Sequence, residues 1–160
     1  LYLTTLEDWW NAFGEGQGAY MHYEFDDSLS SVVGKLYNYP AVEDARNLCP
    51  TGWHVATYQD WTDFIDYAGG EAAAGGNIKV DTSLWDSPNV SASNLTGFTA
   101  LPGGFFEPPA FFGLLGTSTY FWSSTSIGQI NAFYVENSST GIYPRIAGSG
   151  EGCYVRCIKD

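Results

Sequence analysis

Three cysteines, two histidines and a scattering of carboxylates are the side chains in this sequence with reactive chemistry to offer. Nucleophilic catalysis needs a nucleophile, a base that activates it and a group that orients the base. Cys49 and His54 share one stretch, LCPTGWHVATYQDWTDF, and so raise that reading. Yet Cys49 precedes Pro50 beside a turn, and His54 follows Trp53 in a run of structural character. A disulfide and a hydrogen-bonded structural histidine are the simpler expectations, and His22, inside the aromatic segment AYMHYEF, is read the same way. Serines are plentiful, but no G-x-S-x-G occurs. Asp60, Asp63 and Asp66 recur every third residue, which lays them along the solvent face of a helix rather than across a cleft.

Metal and phosphate chemistry fare no better. No pair of cysteines is spaced as C-x-x-C, and two histidines are too few to complete a zinc site, so none is expected. GGEAAAGG lacks the Lys-Ser/Thr pair and the preceding strand of a phosphate-binding loop. No cofactor is expected. The segment DTSLWDSPN leaves open a surface Ca²⁺, although it lacks the ligand ladder, Gly and Glu of an EF-hand loop. A bond from Cys49 to the C-terminal strand would close a loop of about 100 residues and stabilise the fold by roughly 4–5 kcal/mol. Cys153 and Cys157 lie on one face of a strand, so one of them at most pairs with Cys49 and the other is a buried thiol.

The elements that must position these groups can be read in outline. TTLEDWWNAF reads as a helix capped by Thr5, with Leu6, Trp9, Trp10 and Phe13 on its apolar face. AYMHYEF reads as a strand, DDSLSS as its turn, and KLYNYPAVEDARN as a helix with Pro40 in its first turn. The clearest helix begins at Thr57, with Asp60 as its capping partner and Trp61, Phe64, Ile65 and Ala68 as a buried stripe, and stops at Gly69-Gly70. From Glu71 to Phe112 the turn signals GGN, DSPN, LPGG and EPP predict mostly loop. TYFWSSTS, NAFYVEN, GIYPRIA and CYVRCIKD predict four strands of an antiparallel meander. A helical first half and a β-rich second half imply an α+β domain spanning residues 1–160.

Composition narrows the partners. The net charge of −12 repels phosphate backbones and anionic lipid, so neither nucleic acid nor a membrane surface is an expected partner. No apolar run is long enough to insert directly into a bilayer. The start at LYLTT, without methionine, reads as a mature or trimmed fragment. Aromatic residues make up 17% of the chain, enough to furnish both a core and a recognition surface. The segment STSIGQINAFYVENSSTGIYPR mixes rigid Tyr contacts with Ser, Gly and Asn, the composition of adaptable binding faces.

LCPTGWHV, a following DW helix, AGGNIK, W-DSPN, GFTALPGGF, YFWSSTS and YVRCIKD, with GAY and KLYNY upstream, resemble in order the Fibrobacter succinogenes major paralogous domain family over about residues 18–160. The resemblance implies a C-type lectin-like fold, related to that of the formylglycine-generating enzyme, with two helices, a small twisted antiparallel sheet and long loops. It further implies a disulfide between Cys49 and Cys157, with Cys153 an addition and Pro40 a departure from the usual aromatic. Trp53, Trp61, Trp85, Phe98 and Trp122 map onto the family's aromatic framework and are read as core. Glu107-Pro108-Pro109 and Trp122-Ser123-Ser124 lack the ligands with which related lectins hold Ca²⁺ and sugar. Family members occur in secreted or surface proteins, often lipoproteins, of gut and rumen bacteria. Some resemble the variable proteins of diversity-generating retroelements, whose variable region would here span Ser124 to Ile146.

The expectation is a non-catalytic recognition domain, extracellular or on the cell surface, serving adhesion to a protein or glycan on another cell or surface. Its binding face is expected to comprise Ser126, Ile127, Gln129, Asn131, Phe133, Tyr134, Glu136, Tyr143 and Arg145. The alternative is a structural module of a surface lipoprotein with no ligand of its own.

Overall fold

The computed structural model describes residues 1–160. Thr5 caps α1 (Leu6–Gly14), accepting from the Asp8 N–H, and Trp9 and Ala12 are its buried face. The Trp9 indole donates to the Gly150 carbonyl at 2.9 Å, tying the first helix to the far end of the chain. AYMHYEF forms only a short β1 (Tyr20–Met21) before a 3-10 turn over Tyr23–Phe25. DDSLSS is not a turn. Asp26 accepts from the Ser28 N–H and starts α2 (Asp27–Val33), because the residue types that favour turns also cap helices.

β2 (Leu36–Tyr37) pairs with β1, and the short α3 (Tyr39–Val42) follows with Pro40 in its first turn. The buried Asn38 caps α3 through Ala41 N–H and also accepts from Ala19 N–H, joining the two segments. β3 (Trp53–Val55) leads into α4 (Tyr58–Tyr67), where Thr57 and Asp60 form the full reciprocal capping box. Trp61 and Ile65 are buried. Gly69 and Gly70, both at positive φ, end the helix.

The predicted loop from Glu71 onward is corrected at both ends. α5 (Glu71–Ile78) starts at once, and β4 (Gly103–Glu107) and β5 (Phe111–Leu115) form a hairpin. Gly75 and Gly76 cost helix propensity of about 1 kcal/mol each, which is why local reading missed α5. Close packing requires them: a Cβ at Gly75 would fall 1.9 Å from the Gly141 carbonyl oxygen, and one at Gly76 2.8 Å from that of Ser91. The Gly76 N–H donates to Thr140 O at 2.9 Å across the same contact. Beside it the buried Lys79 ammonium donates to the carbonyls of Glu136 and Ser139.

β6 (Ser118–Trp122), β7 (Asn131–Glu136) and β8 (Tyr143–Ile146) form the expected antiparallel meander. The fourth predicted strand splits: Tyr154 makes only a parallel bridge to Phe121 of β6, and β9 (Cys157–Lys159) pairs instead with β3. The large sheet runs β5-β4-β6-β7-β8 and is mixed, because β4 lies parallel to β6. The expected two-helix C-type lectin-like α+β architecture, with a small antiparallel sheet, is therefore corrected. The chain has five α-helices and three sheets, the largest mixed and five-stranded. Trp53 is a second correction. It is 39% exposed on β3, whereas Trp61, Trp85 and Trp122 are buried.

Cys49 and Cys157 are bonded across 108 residues, joining the loop before β3 to the start of β9. Cys153 is a free, fully buried thiol.

Candidate functional site

Alternation along the strands divides the side chains of the large sheet between two faces. One face carries Phe121, Phe133 and Val135 and packs on α4, with Phe133 stacked on Trp61 at 5.3 Å. The other carries Phe105, Tyr120, Trp122, Ala132, Tyr134, Tyr143 and Arg145, as the pairings Tyr120↔Tyr134, Tyr134↔Tyr143 and Ala132↔Arg145 require. At the Trp122 end this second face is covered by Tyr39, Cys49 and Cys153. Towards Tyr134 it opens to solvent.

A row of five rings crosses all five strands of the open half. Phe111 lies 6.1 Å from Phe105, Phe105 stacks on Tyr120 at 4.4 Å, Tyr120 on Tyr134 at 5.2 Å, and Tyr143 follows at 5.6 Å. Direct cross-strand pairing brings such rings together, with neighbouring strands about 4.8 Å apart. Phe111 lies over Gly113, where a Cβ would meet its ring at 2.1 Å. Phe105 and Tyr120 are buried, Tyr134 and Tyr143 half-buried, and Phe111 exposed. The Arg145 guanidinium sits over the Phe105 and Tyr120 rings, 5.5 and 5.3 Å from their centroids, and pairs with the Glu151 carboxylate at 2.9 Å. Burial raises the pKa of Glu151, opposed by the Gly148 N–H and by Arg145.

The nine expected binding residues therefore separate. Tyr134, Glu136, Tyr143 and Arg145 share the open face. Ser126, Ile127 and Gln129 are exposed on the β6–β7 loop at the other end of β7. Asn131 and Phe133 point to the opposite face and are buried, Phe133 beneath Tyr58 and Trp61, so their placement on the binding face is corrected. Period-two alternation through NAFYVE carries the signal that separates them, once Phe133 is seen as the partner of Trp61. Phe105, Tyr120 and Phe111 were missed. Their contribution depends on β4 lying beside β6, a pairing that no local pattern announces.

The histidines and remaining carboxylates do other work. His54 is clasped at both ring nitrogens, Nδ1 at 2.7 Å from Asp160 and Nε2 at 3.0 Å from Asp60. His22 Nδ1 lies 2.6 Å from Asp27 and 3.2 Å from the Tyr2 hydroxyl. No group of three His, Cys, Asp or Glu side chains converges as a metal site. In DTSLWDSPN, Trp85 is buried and its indole donates to Ala100 O, while Asn89 donates to Val80 O.

The clasp makes His54 sensitive to pH. Hydrogen bonds to Asp160 and then Asp60 raise its pKa above the usual 6.5. A raised histidine pKa favours the folded state fully below 6.5, and that contribution is lost as pH rises through the folded value. Urea titrations between pH 5 and pH 8.5 are expected to show the wild type losing more stability than His54→Gln. Equal losses in the two proteins would remove His54 from the account.

The family model of the Fibrobacter succinogenes major domain matches residues 3–159, extending the likeness upstream through α1. No curated protein and no solved structure matches the chain.

Proposed function

The chain belongs to the Fibrobacter succinogenes major domain family, and from that footing we propose that it is a non-catalytic recognition domain working outside the cell. The observation that carries the proposal is the aromatic row from Phe111 to Tyr143, half open to solvent and flanked by Arg145 and Glu136. Flat rings at strand spacing offer rigid apolar contact, and the neighbouring charges and hydroxyls supply directional bonds. A protein or glycan ligand on another surface fits such a face. The exposed loop with Ser126, Ile127 and Gln129, at the opposite end of β7, stands outside this face.

The non-catalytic reading is supported by the state of the reactive groups. Both nitrogens of His54 are engaged, and burial holds the Cys153 thiol pKa well above its ordinary value. An extracellular location is supported by the Cys49–Cys157 bond, since structural disulfides persist in oxidising compartments. The limited opening of the row, with Phe105 and Tyr120 buried, favours a second reading as a ligand-free structural module.

Glycan-array and surface-display screens of the wild type, compared with Tyr134→Ala/Tyr143→Ala, decide between the two. Both side chains are half-exposed, so the double variant is expected to fold and to lose ligand at least ten-fold. A ligand retained undiminished by the double variant would move recognition off this face.

A further inference from the structure

The largest cavity in the molecule, about 420 Å³, lies away from the aromatic row, between the end of α2 and the segment before β9. Ser30, Lys35, Tyr37, Leu101, Tyr154 and Arg156 are among its walls. Its charge runs against that of the molecule. The chain has 18 acidic and 6 basic residues, yet two of the six basic ones line this cavity and none of the acidic ones does.

Arg156 is the unusual member. Its guanidinium is wedged between aromatic faces, 4.5 Å from the centroid of Phe98 and 5.6 Å from that of Phe121. Its Nη2 reaches the carbonyls of Phe98 and Thr99 only at 3.4 Å each. Every ion pair in the protein is made elsewhere, by His22, Arg46, His54 and Arg145. A guanidinium carries five N–H donors, so most of those of Arg156 remain uncommitted. Partial burial without a counter-ion lowers its pKa. A planar carboxylate is the natural complement, because its two oxygens match two parallel N–H groups of the fork. Lys35 lines the same cavity, with its ammonium 4.4 Å over the neighbouring Tyr20 ring. The rings of Tyr37 and Tyr154 and the side chain of Leu101 suit an apolar body attached to that carboxylate.

We propose that this cavity is a binding site for a small organic carboxylate, with its anionic head on Arg156 and its apolar body against Tyr37 and Tyr154. The site is separate from the aromatic row, and neither depends on the other.

Titration with benzoate, followed by two-dimensional NMR, tests the proposal, with neutral benzamide as the isosteric control and phenyl phosphate as a second anion. Saturable shifts at the Arg156 side chain and at Tyr37 and Val155 are expected with benzoate, at an affinity at least ten-fold above that of benzamide. Phenyl phosphate binding more tightly than benzoate would overturn the assignment to a carboxylate. Arg156→Met keeps much of the packing on Phe98 and is expected to abolish benzoate binding. Lys35→Met lies on the partly exposed wall, is expected to fold normally, and should weaken benzoate about two- to five-fold while leaving benzamide unchanged. It therefore serves as the test should Arg156→Met unfold. Equal binding of benzoate and benzamide, or no saturable shift at these residues, would overturn the proposal.

Discussion

Cys49→Ala combined with Cys157→Ala is expected to lower unfolding free energy by about 3–5 kcal/mol, measured by urea or guanidinium titration. For a domain of this size each kcal/mol moves Tm by about 2–4 °C, so Tm should fall by roughly 6–20 °C. The size of the effect follows from what the bond closes. It joins residues 108 apart, and a closure this long removes much freedom from the unfolded chain. It also fastens the β3–β9 ribbon, whose register comprises only the pairs Trp53↔Lys159, His54↔Ile158 and Val55↔Cys157. A two-stranded ribbon is marginal on its own. With both replaced, Cys153 is the one thiol left, so no substitute bond can form within the chain. A loss below about 1 kcal/mol would mean that the ribbon and the His54 clasp hold without the bond.

Trp61→Ala carries the second large expectation, a loss of about 3–5 kcal/mol. Its ring is packed by Phe133, Phe121 and Phe98 at centroid distances of 5.3, 5.4 and 5.9 Å, and its indole donates to Trp122 O at 3.1 Å. Truncation leaves a cavity between α4 and the large sheet and orphans that carbonyl. Trp61→Phe separates the two contributions, since it keeps most of the apolar volume and loses only the N–H donor. Its cost is expected at about 1–2 kcal/mol. Equal costs for the two variants would mean that the cavity contributes little.

What could be read in advance divides along local and non-local lines. α4 was legible to the residue because Thr57, Asp60 and the Trp61 stripe each act within a few positions of one another. α1 and the β6–β7–β8 meander were legible for the same reason. α5 was not, because Gly75 and Gly76 are set by a backbone some 65 and 15 residues away, at Gly141 and Ser91. α2 was lost to the double meaning of Asp and Ser, and Trp53 to a strand that lies at an edge. In the candidate site, Tyr134 and Tyr143 were visible from the composition of one segment. Phe105 and Tyr120 join them only through the parallel contact of β4 with β6. Arg156 gave no signal in the sequence, since a cation without a carboxylate partner is defined by its surroundings.

The bond from Trp9 to Gly150 has a consequence for how the molecule is made. A chain emerging at roughly 5–20 residues per second exposes α1 many seconds before residue 150 exists to receive its indole. A shorter wait of the same kind separates β3 from β9. Through that time the apolar faces of the early helices have no final partner, and neighbouring nascent chains offer the wrong one. The charge of −12 is then a kinetic asset, holding unfinished copies apart until residues 150–160 arrive to close the domain.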